Sequence, residues 1–189
     1  ACLALIRKAG LENEIHLNIE VNHATLSGHN FEHEIAYAIA NNALGSIDIN
    51  RGDTLLGWDT DQFPNNPLEL LMPFYHIFSN GGFKQGGLNF DAKIRRQSID
   101  PEDLFYAHIG GMDVAARSLI AVEKMINDKE LSSYIKNRYK KWDLDLGKFI
   151  HSEEGDLESI ANKVINENIE PEPQSGQQEY LENILNKYL

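Results

Sequence analysis

Three short apolar segments, each carrying one acidic residue and each followed by a helical pattern, constrain the fold of this chain more than any bulk property. "IHLNIEVNH" (15–23) alternates and is rich in Ile, Leu and Val, the mark of a strand. "NFEHEIAYAIANNALG" follows, with Phe31, Ile35, Ala38 and Ile39 at helical spacing and Gly45 as its stop. "SIDIN" (46–50) predicts a second strand. After an acidic loop, "PLELLMPFYHIFSNGG" predicts a helix in which Pro73 forces a kink or a late start. "GGLNFDAK" (86–93) predicts a third strand. The next helix opens at Asp100 as N-cap, with Pro101 in the first helical position and acids in the first turn. Residues 2–9 read as the end of a preceding helix. Strand followed by helix, three times over, is the pattern of a parallel sheet with crossover helices, an α/β fold.

From about residue 128 no strand pattern recurs. "DKELSSYIKNRYKKW", "DLESIANKVINEN" and "QQEYLENILNKYL" are helical, the last two separated by the Glu-Pro linker "EPEPQSG". The expected division is therefore 1–127 for the βα units and 128–189 for a helical extension. The composition, 42% apolar and 24% charged, is that of a soluble globular protein, and no run approaches the 18 apolar residues of a membrane span. The start lacks a secretory leader and an initiator Met and begins in mid-helix by pattern, so the chain is expected to continue something larger. One cysteine, Cys2, excludes an internal disulfide framework and a thiolate zinc site and makes the cytoplasm the expected compartment. A net charge of -12 argues against a nucleic-acid partner.

Glu20, Asp48 and Asp91 occupy the same place in the three strands, and parallel strands bring their carboxyl ends to one face. Carboxylates gathered there repel one another unless something neutralises them. Divalent cations do so, and an oxygen-rich donor set suits Mg2+, Mn2+ or Co2+. "LLGWDTDQFP" (55–64) places Asp59 and Asp61 in an otherwise apolar loop, a two-acid arm with Leu55, Leu56, Trp58 and Phe63 as its anchors. His23, three residues after Glu20, adds an imidazole. Six donors suffice for two neighbouring metals, with Glu20 able to bridge them. Taken singly, the same residues have plainer uses: a strand-end carboxylate satisfied by backbone donors, an Asx turn with a helix cap, a half-buried histidine. "HNFEH" (29–33) matches an H-x-x-E-H zinc pattern, but it opens an amphipathic helix with no evident third ligand and reads as structural.

At "NIEVNHATLSGH", "LLGWDTDQFP" and "GGLNFDAKIRRQSIDPEDLFYAHIGGMD" the sequence resembles the xylose isomerases, and "SGQQEYLENILNKYL" is similar to that family's terminal helix. The resemblance runs over essentially the whole chain and corresponds to the carboxyl-terminal portion of a family member. It implies the last three βα units of a TIM (β/α)8 barrel followed by a helical tail that embraces other subunits of a homotetramer. It implies Glu20 as the carboxylate bridging two cations, most simply Mg2+. Asp48 and Asp91 are implied, with Glu20, around the metal that holds the sugar oxygens, so that Asp91 and Glu20 also face substrate. His23, Asp59 and Asp61 are implied, with Glu20, around the second, catalytic metal. The implied reaction interconverts D-xylose and D-xylulose, and D-glucose and D-fructose, by a hydride shift between C1 and C2. The family's ring-opening His–Asp pair, its sugar-binding Lys and one more metal carboxylate lie on earlier strands. No catalytic residue beyond the metal ligands is therefore expected in this chain, which should act only with an amino-terminal portion of the same enzyme. The alternatives are a non-catalytic assembly module derived from the same barrel, and a metal-dependent hydrolase such as an apurinic-site endonuclease. The latter is disfavoured by a single strand-end histidine and by the acidic charge.

Overall fold

A computed structural model describes residues 1–53, 55–170 and 172–189. The chain divides into two compact units, 1–126 with 185–189, and 127–184.

The first unit opens with α1 (Cys2–Ala9), stopped by Gly10 in a left-handed conformation at φ 69°. Three strands then form one parallel sheet in the order β1 (Leu17–Glu20), β2 (Leu44–Asp48) and β5 (Leu88–Asn89). The register pairs Glu20 with Asp48 and Asp48 with Asn89, so the first two acids lie side by side. The strands are shorter than the sequence pattern implies. Chain 15–23 leaves the extended form at Glu20 and enters a short helix, α2 (Val21–Leu26), which places His23 on a helical turn rather than at a strand end. Asp91 lies two residues beyond β5.

α3 (Phe31–Ala40) is capped by Asn30, whose side chain accepts from the His33 amide at 2.7 Å. α4 (Leu68–Ser79) runs through Pro73 and starts after Pro67. These two helices pack on each other and α3 on the sheet, and Ile35, Ala38, Ile47, Ile49, Leu71, Phe74 and Ile77 form a core at 1% exposure or less. Asp59 and Asp61 do not sit in a loop. They lie on β4 (Trp58–Gln62), which pairs antiparallel with β3 (Arg51–Asp53) in a separate hairpin. α5 (Pro101–Asp128) begins at Pro101 as expected, but its start is fastened by Asp103, whose carboxylate accepts from the Asp100 amide at 3.1 Å. Gly111 on α5 admits a close approach, since a Cβ there would stand 2.9 Å from the Phe63 ring.

The second unit is helical: α6 (Glu130–Tyr139), a 3-10 turn over Lys140–Asp143, α7 (Asp145–His151), α8 (Leu157–Asn166) and most of α9 (Gln178–Asn186). α7 was not evident in the sequence. Tyr134 and Arg138 on α6 donate to the carbonyls of Gly176 and Ser175 at 2.6 and 3.3 Å, which fastens the linker ahead of α9. Asp156 caps α8 by accepting from the Ser159 amide at 2.8 Å. No helix among the described residues is long and apolar enough to cross a membrane.

Candidate metal centre

Two groups of potential ligands meet at the carboxyl end of the sheet. Glu20, Asp48 and Asp91 form one, Glu20, His23 and Asp59 the other, and within each group the ligand atoms lie within 4.8 Å of one another. Glu20 belongs to both. It is buried, at 6% exposure, and its two oxygens face different partners. Oε1 accepts from Asn50 Nδ2 at 2.7 Å, and Oε2 stands 3.0 Å from His23 Nδ1. The other imidazole nitrogen, His23 Nε2, is 3.3 Å from Asp59 Oδ2. The helical turn of α2 thus aims one ring between two acids, which an extended segment could not do.

Asparagines hold the acids in position. Asn18 Nδ2 donates to Asp48 Oδ2 at 2.6 Å, and Asn89 Nδ2 donates to Asp48 Oδ1 at 3.1 Å. Asn22, 1% exposed, donates its side-chain amide to Asp59. Asn50, 2% exposed, donates to the Asp91 carbonyl at 3.0 Å and accepts the Asn22 amide at 3.0 Å. None of these four was singled out from the sequence. The signal was there: Asn18 precedes Glu20 by two, Asn50 follows Asp48 by two and Asn89 precedes Asp91 by two, the interval that puts extended residues on one face.

The electrostatics of the cluster match a cation site. Among the described residues no lysine or arginine forms an ion pair with Glu20, Asp48, Asp59 or Asp91. Neutral amides orient the oxygens without cancelling their charge. The Glu20 carboxyl is pushed above its ordinary value, first by burial, with repulsion from Asp59 and Asp91 adding to it against the Asn50 and His23 contacts. The donors are oxygens plus one imidazole nitrogen, a set suited to a hard or borderline divalent ion.

Asp61 stands apart from both groups. Its carboxylate pairs with Lys93, its amide donates to Asp59 Oδ1 at 3.3 Å, and its carbonyl accepts the Lys93 amide at 2.8 Å. Its φ of 42° turns the strand locally toward that lysine. Of the four apolar anchors expected around this segment, Leu55, Leu56 and Trp58 are exposed, at 94%, 58% and 60%, while Phe63 packs against Phe90 and His108 with ring centroids 6.3 and 4.6 Å apart. The hairpin is also held by polar contacts to its backbone. Arg51 Nε donates to the Phe63 carbonyl at 2.9 Å, and Arg95 donates to the carbonyl of buried Thr60.

Residues 135–189 match the family model described as the XylA2 C-terminal domain. The chain is 57% identical over 184 residues to a protein named xylose isomerase from Histophilus somni. It is 54% identical over the same length to proteins of that name from Mesorhizobium japonicum and Haemophilus influenzae. Each match covers 97% of this chain but 42% of the relative, so the chain spans less than half the length of these proteins. The α/β units that carry the clustered acids and the helical segment after them together match a carboxyl-terminal portion of proteins named xylose isomerase.

Proposed function

We propose that this chain is the carboxyl-terminal part of a divalent-metal-dependent aldose–ketose isomerase acting on D-xylose and D-xylulose, and on D-glucose and D-fructose. The observation that carries the reading is Glu20, one buried carboxylate shared by two ligand groups. Glu20, Asp48 and Asp91 would hold one cation, Mg2+ in the simplest case with Mn2+ or Co2+ as substitutes. Glu20, His23 and Asp59 would hold a second, with Asp61 joining once it leaves Lys93. Cations held by these residues would supply charge stabilisation for neighbouring sugar oxygens in the proposed hydride shift between C1 and C2.

What the chain itself does is fix the donors. Asn18 and Asn89 keep both Asp48 oxygens turned to the cluster, and Asn50 holds Glu20 against its neighbours. Asp91 and Glu20 would also face the sugar. We further propose the sheet as the last three strands of a (β/α)8 barrel, with 1–127 as barrel and 128–189 as an extension for subunit association in a homotetramer, in the cytoplasm. β1 and β5 each have one strand neighbour, and Phe105, Tyr106 and Met112 on α5 are exposed. Open sheet edges and bare apolar residues favour completion by the amino-terminal portion of the same enzyme.

Mixing the chain with that portion should generate ketose from xylose in the presence of Mg2+, Mn2+ or Co2+. Asp59→Asn should abolish turnover while leaving the far-UV circular dichroism unchanged. A reconstituted assembly that binds subunits but never turns over sugar would favour the assembly-module alternative.

A further inference from the structure

A second kind of ligand cluster lies at the start of α3; it shares no residue with the groups around Glu20, although His29 and Glu34 line the same cavity as Glu20 and His23. His29 precedes the helix, His33 and Glu34 are in its first turn, and one ligand atom from each lies within 4.8 Å of the others. Both imidazoles turn the same nitrogen to the same oxygen. His29 Nδ1 contacts Glu34 Oε1, and His33 Nδ1 is 3.3 Å from that atom. The rings stand edge to face, with centroids 5.1 Å apart. His33 is further steadied by Tyr37, stacked at 6.1 Å and 11° between planes. Asn30 fixes the turn by accepting the His33 amide.

The geometry changes the meaning of "HNFEH". The glutamate inside that motif, Glu32, faces the opposite way, toward His76 Nε2 at 3.2 Å. The acid that completes the set is Glu34, one residue past the motif, so the sequence pattern hid the third ligand. All three side chains keep solvent access, with side-chain exposures of 51%, 58% and 28% for His29, His33 and Glu34, which leaves room for water in remaining coordination positions.

We propose that His29, His33 and Glu34 form a separate cation site for borderline first-row ions of the Zn2+, Ni2+ and Cu2+ class. Two imidazoles and one carboxylate make a nitrogen-rich set, whereas the Glu20 cluster offers one nitrogen among carboxylates. The two sites therefore differ in ligand softness, and the α3 site discriminates against Mg2+. This assignment does not depend on the isomerase reading.

Equilibrium dialysis of the full chain with ZnCl2 in excess Mg2+ tests it, in a Glu20→Gln, Asp59→Asn background that disables the His23 group. The expected result is one bound Zn2+ per chain. His33→Gln and His29→Gln should each weaken it by at least about tenfold, since loss of a direct ligand costs no less than the 10- to 100-fold typical of outer partners. Glu34→Gln, which keeps the size of the side chain, should weaken it in the same direction, and Glu32→Gln should leave it unchanged. No bound Zn2+ in that background, or equal binding in the histidine variants, overturns the proposal.

Discussion

Asn50 and Glu20 meet at 2.7 Å where β1 and β2 end, and through Asn50 the buried carboxylate is tied to α2 and to the chain beyond β5. The same asparagine holds the first turn of α2 through the Asn22 amide and the chain beyond β5 through the Asp91 carbonyl. Asn50→Ala therefore leaves three polar groups short of a partner, those of Glu20 and Asn22 being buried. Each group left unpaired costs about 1–3 kcal/mol, so a large fall in the urea midpoint is expected. Divalent binding should weaken in parallel, because Glu20 loses its anchor. A variant with unchanged midpoint would mean that water replaces the amide without loss.

Glu20 should behave oppositely with and without metal. Its folded carboxyl is raised above 4.5, so the native state holds that proton more tightly than the unfolded chain does. In metal-free protein, stability from this group accordingly falls as pH rises from 4.5 through the raised folded value. Glu20→Gln keeps an acceptor for Asn50 and removes the charge, so it should flatten that decline and stabilise the metal-free chain at neutral pH. Added Mg2+ reverses the order: at about 100 times its dissociation constant it should stabilise the unmodified chain by about 2.7 kcal/mol and the variant by much less. Thermal melts with EDTA and with Mg2+ separate the two effects.

Gly52 is a packing requirement of the centre rather than a turn residue. A Cβ built there would stand 2.0 Å from Asn22 Oδ1, and Asn22 is the residue that holds Asp59. Gly52→Ala must push that amide aside within a buried pocket. Overpacking of this kind costs about 1–3 kcal/mol, and here it also loosens the hold of Asn22 on Asp59. A lowered melting temperature together with weaker divalent binding is expected. A melt lowered without any change in binding would show that Asp59 holds its place unaided.

The strand–helix alternation and the convergence of Glu20, Asp48 and Asp91 were legible because both follow from short-range rules: period-2 apolar patterning and the common direction of parallel strands. What the pattern could not reveal was set by tertiary hydrogen bonds. His23 turns into the cluster because Asn50 captures the Asn22 amide and starts a helix where alternation alone continues a strand. Asp59 and Asp61 lie on a hairpin fastened by Arg51 on its own first strand and by Arg95 from outside it, the latter a partner that no local window contains. The asparagines escaped notice because a neutral amide within a strand pattern carries no charge to mark it as part of an ion site.

Lys93 should act as a competitor for Asp61. The Asp61 carboxyl is held below its ordinary value of 3.8, first by its hydrogen bond with Asp59 and then by Lys93. Lys93 is 67% exposed against 20% for Asp61, so the pair is a partly solvated one, worth at most about 1 kcal/mol. Removing the ammonium with Lys93→Met frees the carboxylate to turn toward Asp59 and His23. Divalent affinity at that group should rise by up to about fivefold, the equivalent of that energy, read by Mn2+ titration. Asp61→Asn in the same background should cancel the gain, whereas in the presence of Lys93 it should change affinity less than Asp59→Asn does. A Lys93→Met variant that binds Mn2+ no more tightly would place Asp61 outside the metal's reach and leave Glu20, His23 and Asp59 as the ligands this chain supplies there.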